Sequence, residues 1–335
     1  MTLERSPSDL AQRVIAGDRI ALSRALTLVE STRSDHQERA SAVLDALLPH
    51  TGGSLRVGVT GVPGVGKSTL IEALGAKLID AGHRVGVLAV DPSSRRTGGS
   101  ILGDKTRMGQ LANEPKAFVR PSPTSGTLGG VARRTRESLL VLESAGFDVI
   151  LVETVGVGQS ETLVRDLVDC FLVLLLPGAG DELQGIKRGI MEVADVVAIQ
   201  KADGESIRAA NLAAATVLSA LRVMRARSEG WEPRVHTCSA LTGAGLDELW
   251  ASVRAHHQAV DESGWLTRER TRQRKAWLWN VVDETLHHRL RTDGEIASLV
   301  AELEAEVAAG TRSATGAARQ ILRRWFRARA SGEDV

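Results

Sequence analysis

The sequence predicts an α/β fold: a mostly parallel central sheet flanked by helices, with helical extensions at both ends. Three observations carry this. Between residues 55 and 237, short apolar runs alternate with amphipathic stretches. On either side of that region, at 7–50 and 262–331, the patterning is helical only. The segments rich in Gly, Lys, Ser and Asp fall just after the apolar runs, at the carboxyl ends of strands, where open parallel sheets take their ligands.

Within 7–50, Leu10, Val14, Ile15, Leu22, Leu26 and Leu28 recur at helical spacing. Asp18, after Gly17, is a candidate N-cap for a second helix, and Ser34 or Asp35 for a third. Pro49-His50-Thr51-Gly52-Gly53 then breaks the pattern as a linker. Strands are expected near 55–60, 84–90, 116–119, 147–153, 170–176, 195–199 and 234–237, with helices between most of them. Strand signals stop after about Val260. Trp277, Leu278, Val281, Val282 and Leu286 then form one stripe, and Gly294 and Gly310 punctuate the tail. The expected organisation is 1–53 as an N-terminal helical extension, 54–260 as the α/β domain and 261–335 as a C-terminal helical extension.

Bulk properties exclude several classes. The 335 residues are 43% hydrophobic and 25% charged, ordinary for a globular chain. Aromatics are 3%, so there is no basic-aromatic interleaving of the kind that binds single-stranded nucleic acid. The 42 basic and 41 acidic residues leave a net charge of +1, which gives no reason to expect nucleic acid or an anionic membrane as partner. The most apolar run, 171–176, is too short to span a bilayer, and the first residues carry no apolar signal segment. Cys170 and Cys238 lack metal-ligand spacing and read as two buried thiols in a reducing compartment, so a cytoplasmic location is expected.

The sharpest motif is Gly61-Val62-Pro63-Gly64-Val65-Gly66-Lys67-Ser68, which fits Gly-x-x-x-x-Gly-Lys-Ser/Thr without a mismatch. It follows a strand and opens a helix, so the chain reads as a P-loop NTPase. Glycines let the backbone approach phosphates and turn N–H groups inward, and the helix N-terminus adds partial positive charge. Lys67 is placed to reach the β- and γ-phosphates, Ser68 to ligate Mg2+, and Thr69 follows in the nucleotide-binding set. Three acids are candidates to complete the magnesium site: Asp91 after the strand at 84–90, Glu153 at the end of the strand at 147–153, and Asp104 in a Gly-Asp-Lys loop.

The base is read further on. After the strand at 195–199 comes Gln200-Lys201-Ala202-Asp203, where guanine-binding GTPases place Asn-Lys-x-Asp. An aspartate there accepts two hydrogen bonds from guanine N1–H and its exocyclic amine, whereas adenine would leave the carboxylate unpaired. Lys201 packs its stem on the purine face, and Ser239-Ala240-Leu241 matches the loop that supports the base. Gln200 departs from the pattern by one methylene. GTP and GDP are therefore the expected nucleotides.

The chain resembles the MeaB/ArgK-type GTPases, chaperones associated with methylmalonyl-CoA mutase. The resemblance spans roughly 8–290 and is most specific at 91–94, 97–108, 120–123, 125–130, 153–160 and 180–187. It implies a slow GTPase that gates adenosylcobalamin delivery to a cobalamin-dependent acyl-CoA mutase and helps eject inactivated cofactor, usually as a homodimer joined through C-terminal helices. It implies that Asp91, Asp104 and Glu153 belong to the magnesium and switch regions, and that Lys187 is the lysine linked to stimulated hydrolysis. Lys67, Lys187 and Glu153 are then the expected catalytic set, with Gln159 a candidate for holding the attacking water. Two other functions compete: a GTP-dependent metal-insertion chaperone, against which the lack of Cys/His motifs counts, and an ArgK-type kinase of transport proteins. His287-His288 and the cluster Arg133, Arg134 and Arg136 are expected on exposed helix faces.

Overall fold

The computed structural model describes residues 6–90, 108–121, 128–154, 164–178, 188–224 and 226–330. Three helices come first: α1 (Pro7–Ile15), α2 (Arg19–Val29) and α3 (Ser34–Leu47). The Asp18 carboxylate caps α2 by accepting from the N–H groups of Ile20 (2.8 Å) and Ala21 (3.0 Å), as the sequence led us to expect. The expected cap of α3 does not form. Arg33 occupies the N-cap position with no capping side chain, and the Asp35 carboxylate is taken up by the Arg33 guanidinium at 2.8 and 3.0 Å.

The alternating region then forms β1 (Leu55–Gly61), α4 (Lys67–Asp80), β2 (Val85–Val90), β3 (Ala117–Pro121), α5 (Leu128–Ser144), β4 (Val149–Thr154), β5 (Cys170–Leu175), β6 (Val196–Ile199), α6 (Ile207–Leu221), β7 (Arg234–Thr237) and α7 (Leu246–Glu262). All seven expected strands are present. Their order is β3-β2-β4-β1-β5-β6-β7, and every pairing is parallel. The fold is the expected P-loop type.

Successive residues of each strand feed opposite faces of the sheet. In β4, Ile150 and Val152 join a core built with α1, α2, α3, α5 and α6, while Val149 and Leu151 join one built with α4 and α7. The three N-terminal helices therefore share a core with the sheet. They also pack on α5, and one expectation is overturned there: Arg134 and Arg136 are buried rather than exposed.

A repeated device closes the amino-terminal end of the sheet. Asp148, Asp169 and Asp195 each stand immediately before a strand. Each donates its own N–H to a neighbouring strand's carbonyl and accepts that same residue's N–H on its carboxylate. The partners are Arg84 for Asp148, Arg56 for Asp169 and Phe171 for Asp195, with carboxylate distances of 2.7, 3.0 and 2.9 Å. Two of these clasps are buried and carry arginines. Arg227 pairs with Asp195 at 2.7 Å, and Arg270 grips Asp169 at 2.9 and 2.6 Å while donating to the Ser54 carbonyl. Burial opposes ionisation of Asp195, yet Arg227, His256 and Ser228 outweigh it and hold the carboxyl at about 2. Asp169 is likewise held below the usual range, with Arg270 overcoming burial.

The chain divides into two compact units, Met1–Gln273 and Arg274–Val335, and the division falls inside helix α8 (Trp265–Thr292). The second unit continues with α9 (Gly294–Ala308) and α10 (Ala314–Ala330), which pack on each other around Ile296, Leu303, Ala317 and Trp325. No helix among the described residues is long and apolar enough to cross a membrane.

Candidate nucleotide site

β1 runs into the glycine-rich loop at the carboxyl end of the sheet. Gly61 has φ +152°, and a Cβ there would lie 2.5 Å from the Leu174 carbonyl oxygen, so only glycine lets β1 turn beside β5. Val62, Pro63 and Gly64 form the outer arc, and Val65 is fully buried as its anchor. Gly66, at φ +99°, is the N-cap of α4 and supplies no side chain to its first turn. By contrast, Ser6 caps α1 and Asp18 caps α2. The first N–H groups of α4, at Lys67, Ser68 and Thr69, are thus not met by a capping side chain, the arrangement that suits a phosphate. The Lys67 ammonium, 8% exposed with its residue, donates to the carbonyl oxygens of Gly61 (2.7 Å) and Val62 (3.2 Å).

Two strand ends meet α4 here. Glu153, near the end of β4, accepts the Ser68 hydroxyl at 2.8 Å through Oε1. That brings together an aliphatic hydroxyl and a carboxylate, hard oxygen donors of the kind Mg2+ selects. No cluster of three or more His, Cys, Asp or Glu side chains suited to a metal occurs among the described residues. Magnesium needs no such cage when phosphates and water supply its other ligands, so the pair fits it. Sequence reasoning missed the layer beneath: Thr154 and Thr60 join hydroxyls at 2.8 Å, fully buried, across β4 and β1. Both stand near the ends of their strands, one residue beyond the Val59–Glu153 pair, which is the only signal they leave in the sequence. Asp91, Asp104, Gln159 and Lys187 lie outside the described residues.

The segments expected to read the base converge at the ends of β6 and β7. Asp203 accepts the Ser239 hydroxyl at 2.5 Å, and Ala202 N–H donates to the Cys238 carbonyl at 3.1 Å, which ties the two loops together. Gln200, 1% exposed, accepts through Oε1 from Lys201 N–H (3.3 Å) and Ala240 N–H (3.4 Å). Its buried Nε2 has no hydrogen-bond partner among the described residues. Lys201 is the one non-glycine residue among them with positive φ, at 59°. That conformation is uncommon away from Gly, Asn and Asp, and it sends the ammonium to the Gly64 carbonyl at 2.9 Å. The lysine therefore bridges the loop after β6 and the glycine-rich loop. Ser239 is buried, Ala240 partly so, and Leu241 stands 84% exposed at the tip. Gly245, at φ +74°, closes this loop: a Cβ would meet the Thr237 carbonyl oxygen at 2.2 Å. Both cysteines are free and buried, and burial pushes the Cys238 thiol up to about 12, so neither is a reactive thiolate.

The family described as methylmalonyl Co-A mutase-associated GTPase MeaB matches residues 22–295. A probable GTPase of Mycobacterium tuberculosis is 55% identical over 313 residues, covering 93% of each chain. The GTPase ArgK of Escherichia coli is 49% identical over 290 residues, covering 87% of this chain and 88% of that one. The mouse methylmalonic aciduria type A homolog, mitochondrial, is 46% identical over 326 residues, 94% of this chain and 78% of its own. A crystal structure of a LAO/AO transport system kinase shares the fold with a TM-score of 0.76 and 38% identity, covering 96% and 98% of the two chains. Likeness of this extent, running from α2 through both nucleotide loops and into α9, shows that the chain belongs to the MeaB family and is a GTPase that binds guanine nucleotide.

Proposed function

We propose that this GTPase gates adenosylcobalamin loading of a cobalamin-dependent acyl-CoA mutase, methylmalonyl-CoA mutase or a close relative, and protects or reactivates it. GTP hydrolysis is the timing step of that exchange. The observation that carries this reading is the family likeness over 22–295, since the family is described by its association with that mutase. The mouse relative named for methylmalonic aciduria points the same way.

At the site, the backbone of Gly61, Val62, Pro63, Gly64, Val65, Gly66, Lys67, Ser68 and Thr69 cradles the phosphates. Lys67 exchanges the two loop carbonyls for β- and γ-phosphate oxygens. Ser68 and Glu153, with Asp91 and Asp104, hold Mg2+, which when bound neutralises charge on the phosphates. Asp203 accepts from the guanine N1–H and 2-amino groups. Lys201 lies along the purine, Gln200 braces the loops, and Ser239, Ala240 and Leu241 support the base. Water attacks the γ-phosphate in line, and Lys187 completes the site when the mutase docks. Leu278, Trp279, Leu286, Leu322 and Phe326, apolar side chains exposed on the second unit, support a homodimer formed through the C-terminal helices. Two free buried thiols support a cytoplasmic location.

The test is co-elution with purified methylmalonyl-CoA mutase and related cobalamin mutases, with GTP turnover measured alone and in each mixture. A complex with stimulated turnover is expected, and Lys187→Ala should keep basal turnover while losing the stimulation. No complex and no stimulation with any of these mutases overturns the reading. The solved LAO/AO transport system kinase favours a second reading, phosphoryl transfer to a protein. Label from the γ-position of GTP appearing on an acceptor protein, instead of as inorganic phosphate, would establish it.

A further inference from the structure

β7 ends the strand order and pairs only with β6. In that parallel pairing Arg234 and Cys238 direct their N–H groups to the Asp195 and Ile199 carbonyls of the β6 side. Alternation then turns the backbone N–H groups of Val235 and Thr237, and the Val235 carbonyl, outward. No strand among the described residues pairs with β7 on that side, so those N–H groups have no ladder partner there.

An open groove of about 460 Å³ lies along this edge. Asn211 and Ala214 of α6 form one wall, Glu248 of α7 the other, and Val235, His236 and Thr237 the floor. The His236 Nε2 is buried there without a hydrogen-bond partner among the described residues. Edge strands are commonly guarded by a charged side chain standing over the edge. The one charge in β7, Arg234, is folded back over the Trp231 ring at 4.3 Å instead. The approach is apolar: α6 carries no charged residue from Ala209 to Leu221, and Leu212 is 72% exposed.

Two outward donors flanking an acceptor, repeating every second residue at about 6.6 Å, call for acceptors and a donor at the same pitch. An extended polypeptide supplies them. Glu248 on the lip favours a basic side chain. We propose that the free edge of β7 is a docking site for an extended segment of a partner protein, which adds as an eighth strand and sets a Lys or Arg beside Glu248. The site is independent of the mutase assignment. It borders the base-reading loops, since Ala202 and Cys238 also line the groove.

The probe is a capped β-branched pentapeptide with a central lysine, Thr-Val-Lys-Val-Thr. Hydrogen exchange of the full chain is followed by mass spectrometry over 233–238. Protection on adding peptide is expected. It should be lost when the peptide is N-methylated along one edge, and its midpoint should weaken about tenfold in Glu248→Lys, a surface change. Val235→Pro, which removes one outward N–H, should abolish it, with GTP turnover of the variant reporting that the chain is folded. Absence of protection at millimolar peptide overturns the proposal. So does protection indifferent to N-methylation and to Glu248→Lys. Protection of 233–238 that depends on protein concentration without peptide would assign the edge to a second copy of the chain, and the proposal would fall.

Discussion

The two ends of the sheet put their polar groups to different uses. At the amino-terminal end, Asp148, Asp169 and Asp195 each close a two-bond clasp with the neighbouring strand, and the two buried carboxylates are matched by Arg270 and Arg227. At the carboxyl end, α4 begins on a glycine with no capping side chain, Lys67 rests on loop carbonyls, and Gln200 keeps a buried amide donor unmatched within the described residues. Buried polar groups cost free energy unless paired. The clasps tie neighbouring strands together, whereas the first turn of α4 is left without a capping side chain.

Breaking the first end should give the largest effect, and on stability alone. Asp195→Ala leaves the Arg227 charge buried without its carboxylate and should cost on the order of 3–5 kcal/mol, read as a drop in the urea midpoint. GTP affinity of the folded fraction should be unchanged. An equal loss of affinity would mean that the two ends are not separate.

Lys67→Ala is the converse. Turnover should fall about 100- to 1000-fold, as when one preorganised charge-stabilising group is removed. The unfolding midpoint should move little, because water can also satisfy the two loop carbonyls that the lysine bonds.

Acid sharpens the contrast by a smaller amount. Asp195 is held at about 2 against an ordinary 3.8, so its contribution is fully present above pH 4 and is lost as pH falls from there through 2. That loss should be roughly 2 kcal/mol, and Asp169 shifts in the same direction. Urea midpoints between pH 5 and pH 2 should show it, and Asp195→Asn should flatten the slope by up to one proton.

The carboxyl end was the legible one. A phosphate loop is eight consecutive residues, and Asp203 stands two residues from Lys201, so local spacing carries both. All seven strands were also readable, because each is a short apolar run bounded by polar turns. The clasps at the other end were not. Asp169 and Arg56 are 113 residues apart, and an aspartate before a strand looks like any turn acid until the partner strand is known. The cap of α3 failed for a local reason, the competing Arg33–Asp35 pair. The burial of Arg134 and Arg136 was invisible because α5 packs on three helices distant in sequence. Within α8, no Gly or Pro marks the division at Gln273.

The assignment of the carboxyl end to guanine rests on Asp203, and its most direct measurement is the affinity of the wild type and Asp203→Asn for GTP and for xanthosine triphosphate. Xanthine has a carbonyl where guanine has its 2-amino group, so an amide in place of the carboxylate should favour it. The expected result is GTP weakened about 10- to 100-fold and the triphosphate preference reversed, with the unfolding midpoint retained. Unchanged preference in the folded variant would contradict the assignment of base recognition to this end of the sheet.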